Sequence, residues 1–179
     1  MRSRILIEKT CLEQAQHLKS VREKAAKTDI GNHIELRPVR IEDAAALQRL
    51  NKEVLGYDCS LTDTKRQLTR LLSMAQHYLV AAVIDDEIIG CIHAQEYNIL
   101  YSPPMKDILE LAVYPAFQHQ GIGSRLLAEV ERWAEQSDAC RIRLVSGEQR
   151  IEAHAFYEHN GYVRDKRQIN FKKTIRDDT

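Results

Sequence analysis

The chain has 179 residues, 44% of them hydrophobic, with 26 basic and 26 acidic side chains and only seven glycines and four prolines. This composition excludes a disordered or low-complexity chain, and the length predicts a single compact core. The balanced charge removes the general positive field that non-specific nucleic-acid binding uses, so we expect no nucleic-acid partner.

The cysteine spacing and the length of the apolar runs indicate whether the protein binds a metal ion or enters a membrane. Neither a CxxC pair nor zinc-finger spacing occurs, and the nearest pair of metal ligands, Cys91 and His93, is too few for zinc. The longest apolar runs, such as residues 79–84, fall far short of the roughly 20 residues of a membrane span. The charged N-terminus lacks the apolar core of a signal peptide. We predict a cytoplasmic protein with no metal and no membrane contact.

The beginning of the chain differs from the rest. Residues 1–30 carry apolar side chains at helical spacing, which predicts a helical extension. Glycine and asparagine at positions 31 and 32 break this pattern, and an alternating segment at 33–39 predicts the first strand. We therefore expect an extension over 1–30 and the main domain over 31–179.

Two helices are predicted next. Acidic residues stand before the apolar-periodic stretch 44–55, where they favour the positive end of a helix dipole. A second helix is expected over 61–76, with Thr62 or Asp63 as its cap.

A hairpin and a further strand should follow the helices. Two strand-like runs at 77–84 and 87–100 are joined by two aspartates, which predicts a hairpin with a turn of about two residues. Residues 101–104 include two prolines and are expected to interrupt the sheet. A mostly apolar strand is predicted over 107–114.

The second half of the chain alternates between helices and strands. The pattern predicts a helix over 123–136, a strand over 141–146 and a helix over 150–160 that ends at Gly161. Two short strands are expected between residues 162 and 175. This order of elements predicts a mixed sheet with helices on both faces.

The segment 108–127 contains the clearest chemical motif, a strand that leads through Gly121 and Gly123 into a helix. Backbone N–H groups at a helix N-terminus are unpaired, and glycine lets a pyrophosphate approach them closely. A P-loop and a dinucleotide fingerprint are excluded, because Ser124 and Leu126 stand where those motifs need lysine and glycine. Two glycines alone indicate only a turn.

Together with Gln118, the two glycines match Gln/Arg-x-x-Gly-x-Gly/Ala, and the segment resembles the central motif of the GNAT superfamily of acetyl-CoA-dependent N-acyltransferases. Three further segments, at 34–50, 80–94 and 153–163, resemble the same family in the same order. The resemblance implies a GNAT-like α/β (α+β) fold. Its central sheet would be mixed and mostly antiparallel, flanked by helices on both faces and splayed at the acetyl-CoA site.

The resemblance also implies how the cosubstrate acetyl-CoA binds. The strand at Leu111, Ala112 and Val113 would splay from its neighbour and pair with the pantetheine arm. The amide of Val113 would face the thioester carbonyl. The pyrophosphate would lie after Gln118, on the amides of His119, Gln120, Gly121, Ile122, Gly123 and Ser124.

Two side chains are candidate catalysts. Tyr157 matches the family's general-acid tyrosine, and a phenol with a reference pKa of about 10 stays protonated at neutral pH. A core aromatic is the alternative. Glu110 shares a predicted strand face with Ile108 and Ala112, and a buried carboxylate could deprotonate an ammonium through water. An ordinary paired or solvated side chain is the alternative.

We therefore predict direct transfer of the acetyl group to a primary amine of a small molecule, aminoglycoside- or polyamine-like. Acetylation of a protein N-terminus or lysine is an alternative, and a non-catalytic acyl-CoA sensor is another, against which Tyr157 argues. A homodimer and a monomer both stay open. The basic residues after 163 would suit nucleic acid, and charges that guard an edge strand explain them equally well.

Overall fold

The structure is a computed structural model that describes Lys19 and residues 34–175. Apart from Lys19, the extension predicted over 1–30 lies outside the described residues. The chain divides into two compact units, with the break between Val145 and Ser146.

The first unit is built on a five-stranded sheet with strand order β1-β2-β3-β4-β5. Neighbours from β1 to β4 are antiparallel, and β4 and β5 are parallel. The prediction of a mixed, mostly antiparallel sheet is confirmed. The strands are β1 Glu35–Pro38, β2 His77–Ile84, β3 Glu87–Ile99, β4 Ser102–Val113 and β5 Arg141–Leu144.

Three helices of the first unit lie where the sequence predicts them: α1 Ala44–Leu50, α2 Leu61–Leu72 and α3 Ile122–Glu135. Helix α1 runs on into a π-helical turn, Asn51–Leu55. The predicted cap of α2 is wrong. Ser60 caps this helix, because its extended backbone lets Oγ accept the backbone N–H of Asp63 at 3.0 Å.

The helices cover both faces of the sheet, as expected. Neighbouring residues of a strand point to opposite faces, and Tyr78 of β2 stacks its ring on Trp133 of α3 with centroids 5.1 Å apart. On the opposite face, Asn51 at the end of α1 donates to Glu110 of β4. Apolar burial holds α3 in place, at about 1.5–3 kcal/mol for each large side chain; its buried residues are Ile122, Leu126, Leu127, Val130 and Ala134.

Two hairpins connect β2 to β4. Asp85 and Asp86 have φ values of 47° and 64°, which confirms the predicted turn between β2 and β3. The predicted interruption at residues 101–104 is wrong, because β4 already begins at Ser102, which pairs with Ile99. Proline lacks an N–H group but keeps its carbonyl, and that of Pro104 accepts the N–H of Cys140 at 2.9 Å.

An irregularity in β4 changes which face its residues occupy. Ile108 lies opposite Ala94, whereas Glu110 lies opposite His93, so Leu109 is an extra residue in β4. Ala94 and His93 are consecutive and point to opposite faces. The expectation that Ile108 and Glu110 share a face is therefore wrong. The expectation that Glu110 and Ala112 share a face is confirmed, because they lie opposite His93 and Cys91.

The second unit contains helix α4, Ile151–His159, followed by Gly161 with a left-handed φ of 84°, as predicted. The two strands predicted between 162 and 175 are absent from these described residues. Residues 164–168 contain no apolar side chain, and Val163 and Phe171 are 86% and 88% exposed, so this segment has no face to bury. The basic residues here consequently guard no edge strand.

Candidate active site

Strand β4 has an open edge over its second half. Its pairing with β5 runs only from Met105 to Ile108, while its pairing with β3 continues to Val113. Within the described residues no strand covers the β5 side of residues 109–113. The predicted splay is therefore present, and backbone groups on this edge are free to pair with an extended ligand.

The backbone of Val113 faces this open edge. Tyr114 donates its N–H to the carbonyl of Ile89 at 3.0 Å, and alternate residues of an antiparallel strand point to the same neighbour. The backbone groups of Leu111 and Val113 therefore point away from β3, and those of Ala112 point toward it.

The close approach of β3 and β4 at this point depends on Gly90, which pairs with Val113. A Cβ atom at Gly90 would stand 2.9 Å from the backbone oxygen of Ala112 and 3.1 Å from Cγ2 of Val113. The contact with the backbone oxygen is too short for a Cβ atom and the contact with Cγ2 is tight, so a larger residue here would force the end of β4 to shift.

The loop after β4 ends in a helix N-terminus with free amides. His119 and Gly121 have left-handed φ values of 59° and 75°, and a Cβ atom on Gly121 would meet nothing within 4 Å. The first helical hydrogen bond joins the N–H of Arg125 to the carbonyl of Gly121 at 3.0 Å. N–H groups without an intrahelical partner suit an anion; they belong to Ile122, Gly123 and Ser124.

Gln118 ties this loop to the end of β4. Its side-chain Nε2 donates to the carbonyl of Val113 at 2.9 Å, so the N–H is the backbone group of Val113 that stays free on the open edge. Gln120 is exposed, and its Nε2 reaches only the carbonyl of Ala116, at 3.5 Å. The two glutamines therefore differ, because Gln118 fixes the loop and Gln120 lies at its surface.

Glu110 lies half-buried on the sheet face opposite α3. Asn51 donates from Nδ2 to Oε2 of this carboxylate at 3.3 Å. Burial raises the pKa of Glu110 above its ordinary value of 4.5, and the hydrogen bond from Asn51 opposes that rise. Burial raises the pKa of the Cys91 thiol, and the negative charge of Glu110 raises it further by a smaller amount.

A pair of histidines on the same face was missed by sequence reasoning. Nδ1 of His77 lies 3.0 Å from Nε2 of His93, which stands opposite Glu110. Burial, and then the neighbouring His77, lower the pKa of His93 to about 4, so this imidazole is neutral at pH 7. The hairpin turn could not predict this pair, because continuing its Ile84–Glu87 pairing places His77 and His93 on opposite faces. A register shift between Ala82 and Val83 puts His77 opposite Gln95 instead, which makes the two histidines diagonal neighbours on one face.

Tyr157 belongs to the second unit, on α4. Burial raises the pKa of its phenol above 10, and the charge of Arg150 opposes this to a lesser degree. Its ring packs edge-on against Phe156 and Tyr162, with centroids 5.3 and 5.7 Å away. The hydroxyl therefore stays protonated across the neutral range.

The described residues contain neither a group of metal ligands nor a membrane-spanning helix. Among them, no three His, Cys, Asp or Glu side chains are grouped as a metal site. No helix in this part of the chain is long and apolar enough to cross a membrane.

Comparison with known proteins decides the family. The model of the family described as Acetyltransferase (GNAT) matches residues 42–162, more than half of the chain. The chain belongs to the GNAT acetyltransferase family. As predicted, this GNAT protein is an enzyme, an acetyl-CoA-dependent N-acetyltransferase.

Curated relatives of this GNAT chain include two with assigned substrates. It is 30% identical over 138 residues to the aminoalkylphosphonate N-acetyltransferase of Salmonella typhimurium, covering 76% of this chain and 89% of that protein. It is 27% identical over 145 residues to the aminoglycoside N(6')-acetyltransferase type 1 of Stenotrophomonas maltophilia, covering 78% and 93%.

Solved structures confirm the GNAT fold. The aminoglycoside 6'-N-acetyltransferase of Acinetobacter haemolyticus matches with a TM-score of 0.69 at 17% identity, over 79% of this chain and 99% of that chain. A second 6'-N-acetyltransferase, in complex with a bisubstrate analogue of CoA and acetylneamine, matches with a TM-score of 0.71 at 17% identity, over 80% and 99%.

The first unit of this GNAT enzyme brings together most of the residues singled out in the sequence. The open strand edge and the glycine loop meet at the Val113–Gln118 hydrogen bond, and Glu110 stands on the same strand. Tyr157 is the exception, because it lies in the second unit. Asn51 was missed, since neither the π-helical turn nor its contact with Glu110 leaves a pattern in the sequence.

Proposed function

We propose that this GNAT enzyme transfers the acetyl group of acetyl-CoA directly to a primary amine of a small molecule. The observation that carries the proposal is the half-buried carboxylate of Glu110, whose pKa is raised, on the strand that also presents the open edge. Two relatives, an aminoalkylphosphonate N-acetyltransferase and an aminoglycoside N(6')-acetyltransferase, support a small acceptor that carries a primary amine.

The glycine loop and the strand edge would hold acetyl-CoA, which supplies the acetyl group as a thioester. The amides from His119 to Ser124 would bind its pyrophosphate, since those of Ile122, Gly123 and Ser124 have no intrahelical partner and the open space beside Gly121 leaves room for it. The outward-facing backbone groups of Leu111 would pair with its extended pantetheine arm, and the free N–H of Val113 would face the thioester at the end of that arm.

The N–H of Val113 would stabilise the negative charge that develops on the carbonyl oxygen. It is the free backbone group at the end of the open edge, because Gln118 occupies the carbonyl of the same residue. A fixed donor of this kind acts only where charge develops, and removing one typically costs about 10²–10³-fold in turnover.

Glu110 would act as the base. Most of the acceptor arrives as an ammonium, whose nitrogen has no lone pair for attack. The carboxylate takes one proton, directly or through a water, and its raised pKa makes it a stronger base than an exposed glutamate. The proton then returns to solvent.

Tyr157 would act as the acid, a role that rests on the resemblance and on the surroundings of this side chain. Breaking the carbon–sulfur bond leaves a thiolate that needs a proton. Because the pKa of Tyr157 is raised, its phenol is protonated at neutral pH and can supply one. The amine nitrogen loses its second proton to the phenolate of Tyr157, which restores the phenol. One proton thus goes to solvent and one to the thiolate, which accounts for both protons that the amine loses.

The test is an acceptor screen. Purified full-length protein is incubated with acetyl-CoA and with aminoalkylphosphonates, aminoglycosides, polyamines, amino acids and short peptides in separate reactions. Release of free CoA is measured, and mass spectrometry identifies the acetylated product. We expect transfer to small primary amines, and transfer to peptides alone would contradict the proposal.

A further inference from the structure

One buried polar atom on the Glu110 face has no partner. The side-chain oxygen Oδ1 of Asn51 is buried and, among the described residues, accepts no hydrogen bond. Buried polar groups are almost always paired, because an unpaired group loses its water without compensation. An acceptor left open in a folded chain therefore needs an explanation.

The chemistry of the pair fixes the orientation of the Asn51 amide. Its Nδ2 lies 3.3 Å from Oε2 of Glu110. If the amide were turned around, two oxygens would face each other at this contact, and a carboxylate accepts hydrogen bonds but cannot donate one. With NH₂ committed to Glu110, the free atom must be the oxygen. Asn51 thus presents an acceptor beside a second acceptor, the carboxylate.

The backbone holds Asn51 at this place. A π-helical turn begins at Asn51, and the carbonyl of this residue accepts the N–H of Gly56 and that of Tyr57, the latter at 3.1 Å. Gly56 has a left-handed φ of 80°, which closes the turn. π-Helical turns are rare and occur frequently at functional sites.

We propose that Asn51 binds the amine substrate that receives the acetyl group. Its Oδ1 accepts one N–H of a primary ammonium while the carboxylate of Glu110 accepts another. This assignment rests on the proposed function and names the group that the site selects. A primary ammonium has three N–H donors and a positive charge, so it satisfies both oxygens. An alcohol has one donor and no charge, and it leaves one oxygen unpaired. Asn51 and Glu110 together therefore select amines over alcohols as the substrate that receives the acetyl group.

Two variants separate the functions of the two Asn51 atoms. Asn51→Leu is close in size and removes both the donor and the acceptor. We expect the KM for the amine to rise roughly tenfold to a hundredfold, the usual loss for one hydrogen bond to a charged group, while the KM for acetyl-CoA stays unchanged. Asn51→Asp keeps an acceptor oxygen, so its KM for the amine should stay within a few fold of wild type at alkaline pH.

The pH profile provides a measurement that a merely structural residue would not change. In Asn51→Asp a second carboxylate stands beside Glu110, and the like charge raises the pKa of Glu110 further. The acidic limb of kcat/KM should then move to higher pH by roughly one unit or more. Tyr78→Phe is the matched control, because it removes a single half-buried hydrogen bond, to Glu129 at 3.4 Å, on the opposite face. It should move neither the KM for the amine nor the acidic limb.

The outcomes separate this inference from the proposed function. Transfer by the wild type together with an unchanged KM for the amine in folded Asn51→Leu would overturn the role of Asn51 alone. If the wild type transfers to no amine, the proposed function fails, and binding is tested without turnover by titrating isotope-labelled protein with n-propylammonium chloride. The side-chain amide signal of Asn51, identified by its loss in Asn51→Leu, should shift and saturate. A signal that does not shift would overturn the inference.

Discussion

The side chain of Gln118 donates a 2.9 Å hydrogen bond to the backbone carbonyl of Val113. This contact joins the glycine loop, the candidate pyrophosphate site, to the end of β4, the candidate thioester site. Because it also occupies the carbonyl of Val113, it leaves only the N–H of that residue facing the open edge.

Replacing Gln118 by Leu should therefore weaken acetyl-CoA binding. Loss of one hydrogen bond that positions a loop typically corresponds to about 0.5–1.5 kcal/mol, or a several-fold rise in Kd. Calorimetric titration with acetyl-CoA measures this change. Gln120→Leu is the matched control, because Gln120 is exposed and reaches Ala116 only at 3.5 Å. Equal affinities for the two variants would contradict a positioning role for Gln118.

Gly121→Asp should abolish acetyl-CoA binding without unfolding the protein. A Cβ atom at this position would meet nothing within 4 Å, and the carboxylate it carries would stand where the pyrophosphate is proposed to bind. The left-handed φ of 75° is strained for both aspartate and asparagine, which tolerate it better than other residues. Gly121→Asn is thus the control for strain without charge. Calorimetric affinity should fall much further in the aspartate variant, and similar losses in both would argue against an anion site.

Tyr157→Phe should lower kcat by roughly tenfold to a thousandfold and leave the affinity for acetyl-CoA almost unchanged. A general acid acts only once charge develops on the leaving thiolate, so it contributes little to ground-state binding. Since burial raises the pKa of Tyr157, the protonated form persists above pH 10, and activity should be lost as the pH rises through that raised value. Steady-state kinetics over the alkaline range measure this loss. Turnover of Tyr157→Phe at the wild-type rate would show that Tyr157 only packs in the core.

Glu110→Gln should remove or move the acidic limb of kcat/KM and lower kcat/KM by roughly 10²–10⁴-fold. The base is active when deprotonated, so activity is present above the pKa of Glu110 and disappears as the pH falls through it. Burial raises that pKa, which places the wild-type limb above pH 4.5. An unchanged limb in the variant would assign the base elsewhere.

The His77–His93 pair should make stability depend on acidity. The pKa of His93 is lowered from 6.5 to about 4 in the folded protein. Between pH 4 and pH 6.5 the unfolded state binds more protons at His93 than the folded state does. The contribution of His93 to the free energy of unfolding is therefore complete above pH 6.5 and is lost as the pH falls toward 4, on the order of 3 kcal/mol in all.

Urea unfolding of His93→Gln and wild type at neutral and mildly acidic pH measures the effect. The wild type should lose more stability on acidification than the variant, because glutamine does not titrate. His159→Gln, on an exposed residue of α4, is the control and should behave as the wild type does. Equal acid sensitivity of His93→Gln and wild type would contradict the burial of a neutral imidazole.

The sequence by itself determined the family and most of the elements. Gln118, Gly121 and Gly123 carry their signal within one short segment of the chain, because a helix N-terminus that binds an anion is a local structure. The aspartate turn between β2 and β3 and the helical period of α3 are local in the same sense, and they lie where the sequence predicts them.

Only the tertiary structure decided the features that depend on contacts between residues distant in the chain. The extra residue Leu109 in β4 moved Ile108 to the opposite face from Glu110, since strand register is set by the neighbouring strand. The strands predicted after residue 161 are absent up to 175, because β propensity produces a strand only where a partner and a buried face exist. The contact of Asn51 with Glu110 joins residues 59 positions apart, and only packing of the π-helical turn against the sheet brings them together.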